Sequence, residues 1–220
     1  MMEDYIKENQ LRAECYRLLS ACYCKPTKEF IEEGLINELI TVLKPICPEA
    51  LPYAEEMLKG LLDSELLNSP IVNSILIDYS RLFIGPFKLV APPYGSVYLD
   101  KEGLLMGDST IEAVRLYREA GVEMDRDTHK DMPDHISVEL EFMYYLIFKE
   151  IESIERGDRE SAKRYENLRK DFLKRHLCAW AFKFLNSLKN GAETTFYKNL
   201  ALCTETFLKQ DSLRELAIEV

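Results

Sequence analysis

Apolar runs long enough to cross a bilayer are missing: the longest uncharged stretches are short and are broken by proline, serine or asparagine. The opening MMEDYIKENQ has no basic region followed by an apolar one, so no secretory signal is expected and the chain reads as cytoplasmic. Positive charge is in deficit as well. Lys and Arg number 28 against 38 Asp and Glu, a formal net charge of −10, and nucleic-acid phosphates need the opposite balance. An acidic surface favours a cationic peptide or protein instead. Hairpin turns are missing, and no stretch longer than Ser96–Leu99 reads as a strand. Neither a phosphate-binding G-x-x-x-x-G-K-[ST] loop, nor G-x-G-x-x-G, nor G-x-S-x-G occurs, and no cysteine has an evident partner among the 3 histidines. The cysteines at 15, 22, 24, 47, 178 and 203 mostly take apolar helix positions, where cysteine acts as a small hydrophobe with a reduced thiol. Cys22-Tyr23-Cys24 has the wrong spacing for a zinc knuckle.

What remains is helical periodicity over 220 residues, 47% of them apolar, enough for one sizeable core. A first helix is expected over 3–24, with Leu11, Cys15, Leu18, Leu19 and Cys22 on one face and Pro26 as its stop. Others are expected over 28–43, ending before Pro45, and over about 49–62. Ser69-Pro70 reads as N-cap and first turn of a helix to Ile84 that aligns Ile75, Leu76, Tyr79 and Phe83. Ser109 and Glu112 read as a capping box for a helix closed by Gly121. The longest helix, 135–156, repeats apolar residues from Ile136 to Ile154, and Gly157 ends it. Further helices are expected over 159–174, 177–189, 192–209 and 212–219, with Gly191 and Asp211 as breaks. The expected fold is all-α: a compact multi-helix bundle with one long Pro/Gly-rich connecting loop. It forms a single domain, 1–220, divisible into halves 1–125 and 130–220 about a hinge near 122–133.

That connection, Gly85–Asp108, holds four of the nine glycines and three of the nine prolines together with Phe87, Tyr94 and Tyr98. Structureless links of this length are uncommon within a domain and usually functional. Two readings stand: an aromatic surface shaped by rigid turns, or a packed link between parts of the bundle. The stretch Glu119–Glu141 is strongly acidic. Its Asp125, Asp127 and His129 resemble the start of a calcium loop, but Lys130 replaces the needed glycine and Ile136 the bidentate glutamate. His135 and Glu139 stand four apart, a spacing that offers two metal ligands on one helix face without a third. Asp134 is expected to cap the longest helix.

At these residues the sequence resembles the TorD/DmsD chaperones, relatives of NarJ. The resemblance spans nearly the whole chain. It is carried by Tyr79–Asp100 (Y-x-x-L-F-x-G-P, then A-P-P-Y-x-S-V-Y-L), by Pro133–Phe142, by His176-Leu177-x-x-Trp180 and by Phe196-Tyr197. It implies an all-helical chaperone without catalytic activity or a cofactor of its own, monomeric or dimeric, some members exchanging helical halves across a hinge. Such a protein binds the twin-arginine signal peptide of a molybdopterin oxidoreductase catalytic subunit and holds that subunit from export until its cofactor is inserted. The family's peptide-binding positions match Tyr79, Phe83, Pro93, Tyr94, Ser96, Asp134 and His135. Where the family often reads Glu-Pro-x-Asp-His, this chain reads Asp131-Met132-Pro133-Asp134-His135, so a hinge or nucleotide role tied to that glutamate and proline is not carried over.

The residues agree with this picture in physical terms. Carboxylates, Asp134 and Glu139 among them, would hold the two arginines, at about 1.5–3 kcal/mol each where partly desolvated. Tyr79, Phe83, Tyr94 and Tyr98 would receive the apolar run. Tyr79 and Phe83 fit a helix core equally well. The rivals are a NarJ-like assembly chaperone for a subunit without a twin-arginine signal, and a metal-dependent hydrolase built on Asp134, His135 and Glu139.

Overall fold

The computed structural model describes residues 2–27, 34–62, 70–85, 89–101, 105–123 and 131–217. Phe87, Ser69, the start of the helix expected from residue 28, and the calcium-like stretch 125–130 lie outside them. Among the described residues the backbone is helical without strands, and a single isolated bridge joins Tyr94 to His135.

The helices are α1 (Met2–Cys22), α2 (Leu35–Ile46), α3 (Leu51–Leu62), α4 (Pro70–Tyr79), α5 (Gly95–Leu99), α6 (Asp108–Glu119), α7 (Ile136–Glu155), α8 (Arg159–Asp171), α9 (Cys178–Gly191) and α10 (Thr195–Ala217). Two wide, π-type turns extend helices: Ser80–Ile84 continues α4, and Phe172–Leu177 joins α8 to α9. Such turns insert one residue into the helical register and re-aim the side chains that follow.

The chain forms two compact units, Met1–Ser20 with Tyr94–Ala181, and Ala21–Pro93 with Phe182–Val220. They are not the contiguous halves 1–125 and 130–220 expected from sequence. The reason lies in α1, whose residues bond to α7 far along the chain: Ser20 Oγ donates to the Ser137 carbonyl at 2.8 Å, and the Tyr5 hydroxyl donates to Glu150. Such non-local pairings leave no periodic trace in sequence.

In the first unit α7 packs along α8. Its buried side chains include Leu18, Leu19, Leu116, Tyr117, Leu140, Phe142, Leu146, Phe172 and Trp180. A buried ion pair joins the two long helices, with Arg169 Nε 2.9 Å from Glu150 Oε2. In the second unit α10 packs along α3, and α2 against α3. Its core is aromatic: Phe83 lies 5.6 Å from Tyr197 and 6.3 Å from Phe184 between ring centroids, and Tyr79 lies 5.2 Å from Phe83. Cys22, Cys47 and Cys203 are buried here, and burial pushes the Cys47 thiol up to about 11.

Several expected boundaries move. Pro45 sits inside the last turn of α2 rather than after it. Ser109 does not cap α6; Gly107 holds that position, and Ser109 Oγ donates to Asp100 at 2.9 Å instead. The break expected at Asp211 does not occur, because Asp211 is buried within α10 with Arg214 Nη1 one turn on at 3.8 Å. Gly121 and Gly157 do close α6 and α7, at φ +84° and +74°.

Candidate functional site

The Gly85–Asp108 connection is not structureless. After Pro92-Pro93 the chain turns into α5, and one residue of the opposite segment fixes that start. Asp134 accepts the Gly95 amide on its carbonyl and the Ser96 amide on its carboxylate, both at 2.8 Å. The carboxylate therefore caps α5, not the long helix it precedes in sequence. The cap of α7 is His135, whose Nδ1 accepts the Ser137 amide at 3.2 Å and lies 2.7 Å from Ser137 Oγ. An accepting Nδ1 places the ring proton on Nε2. Burial lowers the His135 pKa despite Asp131 and Asp134 nearby, so the ring stays neutral.

One turn into α7, the fully buried Glu139 turns its carboxylate toward the second wide turn and the start of α9. Oε2 accepts the Trp180 indole N–H at 2.9 Å, and Oε1 lies 3.0 Å from His176 Nε2. His176 and Trp180, four residues apart, share the face that meets it. Burial raises the Glu139 pKa against the opposing pull of His176 and Trp180. Burial would lower that of His176, but the Glu139 carboxylate reverses this and raises it. Each group therefore holds its proton more tightly than in water.

Trp180 in turn stacks on Tyr98, centroids 5.8 Å apart and planes 20° apart, and Tyr94 meets the His135 ring edge-on at 5.3 Å. Gly95 leaves room for this packing, since a Cβ there would stand 3.0 Å from Trp180 Nε1 and 3.2 Å from Cε2 and would press the indole back.

Of the expected peptide-binding residues, Tyr94, Ser96, Tyr98, Asp134, His135 and Glu139 come together in the first unit; Tyr79, Phe83 and Pro93 belong to the second. Tyr94 and Tyr98 are partly exposed; Tyr79, Phe83, Pro93, Ser96, Asp134, His135 and Glu139 are buried. The negative charge of Asp134 and Glu139 is thus taken up inside the unit. His135 and Glu139 turn to different partners, which divides the metal pair their spacing offered. Sequence reasoning missed the roles of His176 and Trp180 at Glu139, although their i, i+4 spacing ahead of a buried helix carried the signal.

Comparison with known proteins places the chain in a family. The model of the nitrate reductase delta subunit family matches residues 48–186. The chaperone protein TorD of Vibrio parahaemolyticus is 29% identical over 213 residues, covering 96% of this chain and 97% of the relative. The Tat proofreading chaperone DmsD of Salmonella typhi is 28% identical over 178 residues, 81% of this chain and 76% of the relative. A crystal structure from Archaeoglobus fulgidus, assigned to redox enzyme maturation, shares the fold with a TM-score of 0.57 at 21% identity, covering 90% of this chain and 93% of that one. The chain belongs to the nitrate reductase delta subunit family, in the branch of the TorD and DmsD chaperones.

Proposed function

We propose that this chain is a cytoplasmic redox-enzyme maturation chaperone without turnover. It binds the twin-arginine signal peptide of a molybdopterin oxidoreductase catalytic subunit and holds that subunit until cofactor insertion. The observation that carries the reading is end-to-end likeness to a TorD chaperone, over 96% of this chain and 97% of that one. The net charge of −10 supports it, since the ligand is a cationic, apolar peptide. Within the site, Tyr94 and Tyr98 meet the ligand, while Asp134, His135 and Glu139 act as positioning residues that hold α5 and its aromatics in place. A second reading, an assembly chaperone for a nitrate reductase subunit without a twin-arginine signal, is favoured by the description of the matching family.

Calorimetry with a twin-arginine peptide separates the two. Changing both arginines to alanine weakens binding roughly tenfold or more under the first reading, and added salt weakens it further. Equal affinity for both peptides at low and high salt favours the second. No helix among the described residues is long and apolar enough to cross a membrane.

A further inference from the structure

One face of the first unit is left apolar and open. Beside α6, a groove of about 580 Å³ is lined by Met106, Ile111, Val114 and Tyr117, with Arg118 and Asp131 at its edge. It shares Tyr117, Val122 and Glu123 with a second cavity of about 140 Å³, which reaches Val138, Glu141, Phe142 and Tyr145 on α7. The floor is aromatic and fixed: the Tyr117 hydroxyl donates to the Pro133 carbonyl at 2.6 Å, and its ring lies 4.5 Å from that of Phe142. At the lip, Ile111 and Met106 are 68% and 67% exposed. Met106 also holds φ +62°, a left-handed conformation costly for an unbranched apolar side chain. An exposed methionine held in strain at the mouth of a groove is a soft, adaptable contact for an apolar ligand.

Charge at the groove selects the occupant. Among the described lining residues Glu123, Asp131 and Glu141 face Arg118 alone, and none of the four forms an ion pair with another described residue. Two copies of this face would bring carboxylates toward carboxylates, whereas an apolar peptide with basic residues at its end meets both the floor and the rim. We propose that the groove along α6 and α7 seats the apolar run of a cationic signal peptide, with the basic residues held by Glu123, Asp131 and Glu141. This rests on the peptide-binding reading above and assigns it a surface that the buried Tyr79 and Phe83 do not provide.

The test titrates the full chain into a labelled synthetic peptide of two adjacent arginines followed by an alternating Leu-Ala run. Ile111→Asp should weaken binding roughly tenfold or more. Met106→Gly should weaken it roughly threefold while raising Tm, because glycine relieves the positive φ. The Glu123→Gln, Asp131→Asn, Glu141→Gln triple variant should lose most of the salt dependence. Ile77→Asp, exposed in the second unit, should bind as the native chain does. If the native chain does not bind, the peptide reading falls and the groove with it. If it binds and Ile111→Asp and Met106→Gly bind as tightly, the groove alone is overturned. A change of oligomeric state in Ile111→Asp with unchanged peptide affinity would make the face a self-association surface and also overturn the proposal.

Discussion

Glu139 accepts the indole N–H of Trp180 at 2.9 Å across 41 positions of sequence, and the same carboxylate lies 3.0 Å from His176. Burial raises the Glu139 pKa and, with Asp134 and Glu112 assisting, Glu139 raises that of His176 above its ordinary 6.5. A group whose folded pKa is raised binds its proton more tightly when folded, so its stabilisation is complete below the unfolded value and lost as pH rises through the folded one. The contribution of Glu139 should therefore begin to fade as pH climbs past its unfolded value of 4.5, and that of His176 as pH climbs past 6.5. His135, lowered by burial, works the other way and loses stability as pH falls below that value. Thermal denaturation across neutral pH should show the alkaline decline in the native chain and a flatter profile in His176→Gln. Glu139→Ala, which strands the imidazole and the indole N–H in the core, should cost about 3–5 kcal/mol in denaturant melts.

Asp134 gives both its carbonyl and its carboxylate to the first amides of α5. Asp134→Ala keeps the carbonyl bond but leaves the buried Ser96 N–H without an acceptor, at a cost of about 1–3 kcal/mol. Asp134→Asn keeps a side-chain oxygen and should recover most of that loss. Equal destabilisation by the two variants in urea would refute the capping role.

The helices that sequence placed well are those whose burial is periodic, such as α1 and α7, because a repeating apolar face needs no knowledge of its partner. What sequence could not place are residues satisfied from afar. Asp134 precedes the longest helix and reads as its cap, yet it bonds α5, and His135 takes the cap instead. Asp211 reads as a break between two helices, yet it is buried inside α10, where Arg214 one turn on offsets the cost of the buried charge. Tyr79 and Phe83 satisfied both the core reading and the surface reading, since an aromatic on an apolar helix face fits either; the structure buries both against Tyr197.

The second unit has a matching device. The buried Asp78 accepts the amides of Glu193 and Thr194 and the Thr194 hydroxyl on one oxygen, and Arg81 Nη2 donates to the other at 2.7 Å. One carboxylate thereby caps the start of α10 and neutralises a guanidinium. Asp78→Ala should destabilise by about 1–3 kcal/mol, because two amides at the start of α10 lose their acceptor, while Arg81 keeps Glu193 at 3.3 Å and the Gly191 carbonyl. Asp78→Asn, which preserves the cap and loses the charge, should fall between the native chain and Asp78→Ala in chemical denaturation.

Gly95→Ala tests how tightly the first unit is packed around Trp180. Alanine is the better helix former, by at most about 1 kcal/mol at this first helical position, so a loosely packed α5 would be stabilised. The new Cβ, however, would stand 3.0 Å from Trp180 Nε1 and 3.4 Å from Glu139 Oε1, against a side chain that is fully buried. Trp180 cannot retreat without loosening its bond to Glu139 and its stacking on Tyr98. Overpacking of this kind costs about 1–3 kcal/mol, which exceeds the propensity gain, so the variant should be less stable than the native chain. Trp180→Phe shortens the ring system and relieves the clash at the expense of the indole bond. Its loss and that of Gly95→Ala should combine to less than their sum, with a coupling of at least about 0.5 kcal/mol in a double-mutant cycle. Strict additivity would mean that glycine at 95 is not there to make room for the indole.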